Sequence, residues 1–393
     1  MKKIKIFAVV LVVLLAITLY PNPVFADNGV EENLNGKINE LLGELDLSEL
    51  ERYLETLTEE EKAFFGKGNI LEKVTSIING DFKIDYQNFI SAISALIFDG
   101  IINTLPVFAI ICAITILCGI LNMFKSSFVG DGIQKLIHFI GYCAVLVLLL
   151  TSFIQVIGDA SSAVNSMQKQ MQIVFPILLT LTATSGGSVS VAVYQPAVVF
   201  LSDVIVNLIS TIVFPLAITI SVITMVGGLD SEVKLNNFSA LFKSVNKWVL
   251  GISITVFSVF LTVQGITSAT YDGLSFKAAK YAISNTVPIV GGFLSGGFDL
   301  MIAGSVLIKN SLGSCSIILL ISEIIIPFLQ LLVFSLFLKL TAAVTEPIES
   351  GKISGFLASF SGVVNYFIAG ILAVAFMYFI TLLLLICSSN ALF

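Results

Sequence analysis

Cys315–Leu338, CSIILLISEIIIPFLQLLVFSLFL, is the stretch that decides the fold. Glu323 is its only charge. A helix of this length, rising about 1.5 Å per residue, crosses a hydrocarbon core of about 30 Å. One such run could be a buried core helix. Five more of the same character, Ile101–Phe124, Leu136–Ile157, Val198–Val226, Val249–Ile266 and Tyr366–Ile386, remove that option. The chain of 393 residues is 56% hydrophobic and 12% charged, with a mean hydropathy of +1.01, where a soluble domain carries about 25% charged residues. The reading is an all-α, polytopic helical membrane protein with about six full spans.

Two further apolar segments are interrupted. Ile173–Val193 contains Pro176 and Ser185-Gly186-Gly187-Ser188, and Val287–Ile308 contains Pro288, Gly291-Gly292 and Ser295-Gly296-Gly297. Adjacent glycines shield the backbone poorly, which is tolerated at membrane depth only where the chain is buried in protein or lines water. Both segments read as discontinuous or re-entrant helices, with plain spans as the alternative. Each also runs Pro, a short apolar stretch, then Ser-Gly-Gly, and Gln155 and Gln264 sit near the ends of the preceding spans. This predicts a tandem repeat, 136–226 and 249–338, of span, surface helix, broken hairpin and span. Tyr271–Ala282, with Lys277 and Lys280 near Phe276 and Tyr281, is amphipathic and reads as riding the interface or docking a partner. Paired interruptions of this kind point to a pathway or binding site.

The N-terminus carries a different signal. Met1–Lys5 is basic, Ile6–Tyr20 is apolar but short for a span, and Val24-Phe25-Ala26 has small residues at the −3 and −1 positions. Residues 1–26 therefore read as a secretory signal peptide cleaved after Ala26, with an uncleaved anchor as the alternative. Residues 27–95 follow as an acidic extracytoplasmic segment, and 96–393 as the membrane domain. Leu34, Ile38, Leu41 and Leu45, then Leu47, Leu50, Leu54 and Leu57, form apolar stripes on short helices. Asp46 with Glu49 and Thr58 with Glu61 have the spacing of N-terminal caps. A segment this small buries little area, so it suits docking better than catalysis. Ile77–Phe98 is read as continuing amphipathically along the membrane surface.

Charge is segregated along the chain. Residues 27–88 hold 15 Asp/Glu against 6 Lys/Arg, whereas the residues after 88 hold 11 of each. An acidic exported segment repels nucleic acid, which is excluded as a partner. With both interrupted segments re-entrant, Lys125, Lys135, Lys234, Lys243, Lys247, Lys339 and Lys352 fall on the cytoplasmic side. Lys169, Lys277, Lys280 and Lys309 fall outside, a weak positive-inside bias. No Walker A motif, HExxH or GxSxG is present, and the only histidine is His138. No catalytic, cofactor or metal residues are assigned, and the chain reads as not an enzyme. The five cysteines, scattered through apolar segments, read as small buried hydrophobes. The polar residues that stand out are Asp203, Asp299 and Glu323, with Gln264. A carboxylate at membrane depth costs about 2.5–3.5 kcal/mol and faces a partner or water, so these mark a polar pathway or a helix contact; the alternative for Asp203 and Glu323 is a place near the interface, or a protonated, hydrogen-bonded carboxyl. Asn207, Gln264 and Gln330 are candidate hydrogen-bond links between helices.

Three stretches carry a family resemblance: TSGGS (184–188) leading to YQP (194–196), VQGITSATYDGLSFKAAK (263–280) and SVLIKNSLG (305–313). With the signal peptide and the acidic leucine-rich segment, they make the chain resemble the stage III sporulation protein AE family over nearly its whole length. The resemblance implies an endospore former and a mother-cell membrane location around the forespore. It implies a multi-pass, non-enzymatic subunit of a transenvelope channel or feeding complex required for late forespore gene expression. It also implies partners: a separate ATPase subunit, a forespore membrane protein and the lipid bilayer. A competing reading from the residues is a secondary transporter that uses Asp203 or Glu323 with the two broken helices. A conduit subunit should purify with partners, and a transporter alone.

Overall fold

The computed structural model describes residues 28–65, 68–82, 86–123, 131–186, 188–229, 235–286, 291–348 and 352–387. The signal peptide with Ala26, and Gly187, lie outside these. The described residues are helical almost throughout. Four short helices come first: α1 (Asn28–Glu44), α2 (Ser48–Glu55), α3 (Glu59–Phe65) and α4 (Ile70–Ile78). Long helices follow: α5 (Tyr86–Met123), α6 (Asp131–Thr184), α7 (Ser188–Leu208), a π-helical turn (Ile209–Val213) running into α8 (Phe214–Leu229), α9 (Asn236–Thr286), α10 (Gly291–Thr345) and α11 (Lys352–Cys387).

The short helices form where the apolar stripes placed them. Ile38, Leu41, Leu47, Leu50 and Leu57 are buried, and Leu34, Leu45 and Leu54 pack partly buried against the same core. One expected cap is present: Thr58 N donates to Glu61 Oε2 at 2.7 Å and Glu61 N donates to Thr58 Oγ1 at 3.2 Å, a reciprocal capping box. The other is not. Asp46 lies two residues before α2, so its Oδ1 accepts from Ser48 N at 3.1 Å and Ser48 Oγ at 2.5 Å, not from Glu49. Those two donors hold the Asp46 carboxyl below its ordinary value.

Six helical stretches are long and apolar enough to cross a membrane: Ile90–Leu121, Lys135–Thr184, Phe200–Leu229, Asn237–Val263, Asp299–Thr345 and Ile353–Cys387. The six expected spans fall one in each. Of the two interrupted segments, the first is discontinuous, and the second is continuous over its described residues 291–308. α6 runs unbroken through Pro176 to Thr184, then turns at Ser185 and Gly186, whose φ of +95° suits glycine. α10 begins at Gly291 and carries Gly291, Gly292, Gly296 and Gly297 in its first turns before continuing to Thr345. The glycines lie where consecutive long helices are joined. Tyr271–Ala282 is part of the backbone of α9. Residues 86–98 begin α5 instead of lying apart from it.

These helices outrun a bilayer. α6, with 54 residues, is about 81 Å long at 1.5 Å per residue. Its exposed side changes character along the way. Leu136, Phe139, Ile140, Val147 and Ile154 are exposed in the first half, and Ser162, Asn165, Lys169 and Gln172 in the second. Only the first half presents the surface that hydrocarbon accepts.

Side-chain pairs fix the packing directions. α6 meets α10 at Phe153–Phe334 and again where Gln170 Nε2 donates to Ser316 O, so the two run antiparallel. α6 and α11 run parallel, through Tyr142–Phe356, Phe153–Phe360 and Phe175–Tyr378. α11 is the central helix, with 61% of its apolar window buried against 28% for α5 and α6. A layer of rings, Phe108, Phe153, Phe214, Phe334, Phe360 and Phe367, fills the middle of the bundle. The π-turn leaves a carbonyl off the helical ladder, and Asn246 Nδ2 from α9 donates to Val213 O at 3.2 Å.

Candidate functional site

The short helices sit on one end of the bundle, against α10, α6 and α5. Ile38 and Leu41 approach α10 at Gly304, where a Cβ would lie 3.2 Å from Leu41 Cδ1. Beneath this apolar seat is a polar layer. Tyr53, on the same face of α2 as Leu50, points its hydroxyl into the bundle. Tyr53 Oη lies 3.1 Å from the Ser166 carbonyl of α6 and hydrogen-bonds with Glu323 Oε1 of α10. Glu323 is 1% exposed, and Tyr378 of α11 is completely buried in the same layer. Burial first, then the nearby Glu323, hold the Tyr53 phenol well above its ordinary value. Gln170 donates to the Ser316 carbonyl at 3.0 Å, two turns along α10 from Glu323.

Two lysines are buried near this end. Lys73 on α4 donates to Phe65 O at 2.7 Å and sits 4.4 Å from the centroid of the Phe65 ring. Burial lowers its pKa from the ordinary value. Lys309 of α10 is fully enclosed.

The residues singled out by sequence are not brought together. Asp203 on α7 accepts from Gln168 Nε2 at 2.9 Å and Gln172 Nε2 at 3.0 Å, a link between α6 and α7. Glu323 belongs to the polar layer under α2. Asp299 is half-buried at the start of α10. Gln264 and Gly291, Gly292, Gly296 and Gly297 lie in helical backbone whose side-chain surroundings are not described. Asn207 is exposed, and Gln330 Oε1 is buried with no hydrogen-bond partner among the described residues. Gln168, Gln170, Gln172 and Asn246 donate hydrogen bonds between helices. Gln168 and Gln172, four apart, share one helix face, a signal visible in the sequence. Tyr53 was detectable only as a polar-tipped ring beside the leucine stripe. No cysteine is in a disulfide, and no three metal-ligating side chains converge, among the described residues.

Among the described residues, six long apolar helices, one of them central, with a small helical cap at one end, define a polytopic helical membrane protein. The family model described as Stage III sporulation protein AE matches residues 69–389, from the start of α4 past the end of α11. The Stage III sporulation protein AE of Bacillus subtilis (strain 168) is 28% identical over 324 residues, covering 82% of this chain and 80% of that protein. The chain belongs to the stage III sporulation protein AE family and is a membrane protein of sporulation. No solved structure matches it.

Proposed function

We propose that this protein is a non-enzymatic core subunit of a transenvelope complex joining mother cell and forespore, with its exported helices serving as a docking element. It lies in the mother-cell membrane around the forespore, with its mature N-terminus outside the cytoplasm. Its partners are a separate ATPase subunit, a forespore membrane protein and the bilayer, and its task supports late forespore gene expression. Family membership supports the setting. The observation that carries the docking role is Tyr53, which joins α2 to both α6 and α10 in one buried contact. A partner bound to the exported helices would thereby bear directly on the membrane bundle.

The transporter reading receives less support. Asp203 is occupied by two glutamine amides and Glu323 by Tyr53, which suits helix contacts better than a pathway open to substrate. Replacing residues 28–82 by a flexible linker should abolish recovery of the partner subunits and block sporulation. Normal partner recovery and normal spores from that strain would end the docking proposal. If Asp203→Asn and Glu323→Gln each abolish sporulation at normal protein level, the transporter reading stands in its place.

A further inference from the structure

Hydrogen counting around Tyr53 bears on the charge of Glu323. A phenol has one proton to give and two lone pairs with which to accept. Tyr53 Oη is 3.1 Å from the Ser166 carbonyl oxygen, which can only accept, and also contacts Glu323 Oε1. One proton cannot serve both. If Glu323 were ionised, the phenol proton would go to the carboxylate and the Ser166 contact would have no hydrogen in it. The carboxylate would then hold a full charge in a buried site with one donor, because Glu323 Oε2 has no protein hydrogen-bond partner among the described residues. Among the described residues, the titratable groups that act on it are Tyr53 and Glu61 from the exported helices and Tyr378 from α11, none of them a cation. α6 contributes the Ser166 carbonyl. A buried charge without a paired counter-charge is far more costly than a buried neutral acid with its hydrogen bond made.

We propose that Glu323 is a neutral carboxylic acid donating to Tyr53 Oη, which in turn donates to the Ser166 carbonyl, and that this two-bond relay clasps the exported helices to α10 and α6. Each proton then has one acceptor. The Ser166 oxygen takes its helical bond on one lone pair and the phenol on the other. The clasp is complete while Glu323 holds its proton and loses one of its two bonds when the acid ionises. The exported cap is therefore held more firmly on the acid side of that titration than on the alkaline side.

Infrared spectra of the full-length protein in lipid nanodiscs, labelled with 13C-glutamate, test the charge directly. The difference between wild type and Glu323→Gln at pH 7 should contain the C=O band of a carboxylic acid; loss of carboxylate bands alone overturns the proposal. Should the Gln variant not fold, the labelled wild type still decides, through the presence or absence of a protonated glutamate band at neutral pH. A disulfide between Leu41→Cys and Gly304→Cys, in an otherwise cysteine-free chain, reports the clasp. Tyr53→Phe should lower its yield about tenfold, the effect of losing one buried hydrogen bond with its partners left behind. Relative to Glu323→Gln, the wild type should lose yield as pH rises above neutrality. Loss on acidification instead, or an unchanged yield in Tyr53→Phe, refutes the relay.

Discussion

Gly370 of α11 meets the end of the π-turn at closer range than a side chain allows. A Cβ placed there would lie 2.5 Å from Phe214 Cε1, 3.3 Å from Phe214 Cζ and 3.4 Å from Ile209 Cγ2. Carbon atoms rest at about 3.5–4.0 Å, so Gly370→Ala must push the Phe214 ring by roughly 1 Å. That ring has little room, since its centroid is 5.1 Å from that of Phe367. Overpacking of this kind costs about 1–3 kcal/mol. Alanine in place of glycine in a helix interior returns about 1 kcal/mol, leaving a net loss of about 1 kcal/mol. Gly362, two turns earlier on the same helix, has nothing within 4 Å of an added Cβ. Gly362→Ala should therefore keep the propensity gain alone and stabilise by up to about 1 kcal/mol. Urea midpoints in detergent, followed by circular dichroism at unchanged slope, compare the two directly. Phe214→Leu added to Gly370→Ala should recover most of the loss, because the shorter side chain vacates the clash. If both alanine variants shift the same way, or the leucine gives no recovery, the close-packing argument is wrong.

Other consequences concern the cap and its seat. Thr58→Ala removes one half of the capping box and should cost about 1 kcal/mol, seen as faster amide hydrogen exchange in Glu59–Phe65 with α10 unaffected. The Tyr53 phenol is held above its ordinary value of 10.0, so the folded state binds its proton more tightly than the unfolded chain. The stability this phenol contributes is then complete below about pH 10 and falls as pH rises past it; a pH series of unfolding midpoints should show this alkaline limb diminished in Tyr53→Phe. Gly186 at φ +95° should resist a side chain, Gly186→Ala costing about 1–2 kcal/mol by the same urea assay. Gln168→Leu with Gln172→Leu strips Asp203 of both donors and should destabilise by about 1–3 kcal/mol, with Asp203→Leu restoring part of it. No restoration in the triple variant would show that these side chains do not interact.

Periodicity and composition were enough for the large features. Six apolar runs long enough to cross a bilayer became six long helices, because helix length and hydrocarbon thickness are both fixed by local chemistry. The leucine stripes and the Thr58–Glu61 cap are equally local, so the apolar face that carries Leu50 and Leu57 is legible without knowing its partner. What remained open depended on neighbours far away in the chain. Pro176 and the Gly291–Gly297 pairs read as breaks inside membrane segments, yet the tertiary structure carries helices through them and turns at Gly186. Surrounding helices repay a missing backbone bond or a flexible glycine, and no sequence window contains those helices. Glu323 was conspicuous as the one charge in Cys315–Leu338, but its sequence neighbours could not say what it touches. Tyr53 lies 270 positions away, and only packing of the short N-terminal helices onto the bundle brings phenol and carboxyl together. The sequence determines which segments enter the membrane because burial in lipid is a local, additive preference. The structure decides how a buried polar group is satisfied, because a hydrogen bond requires two particular atoms to meet.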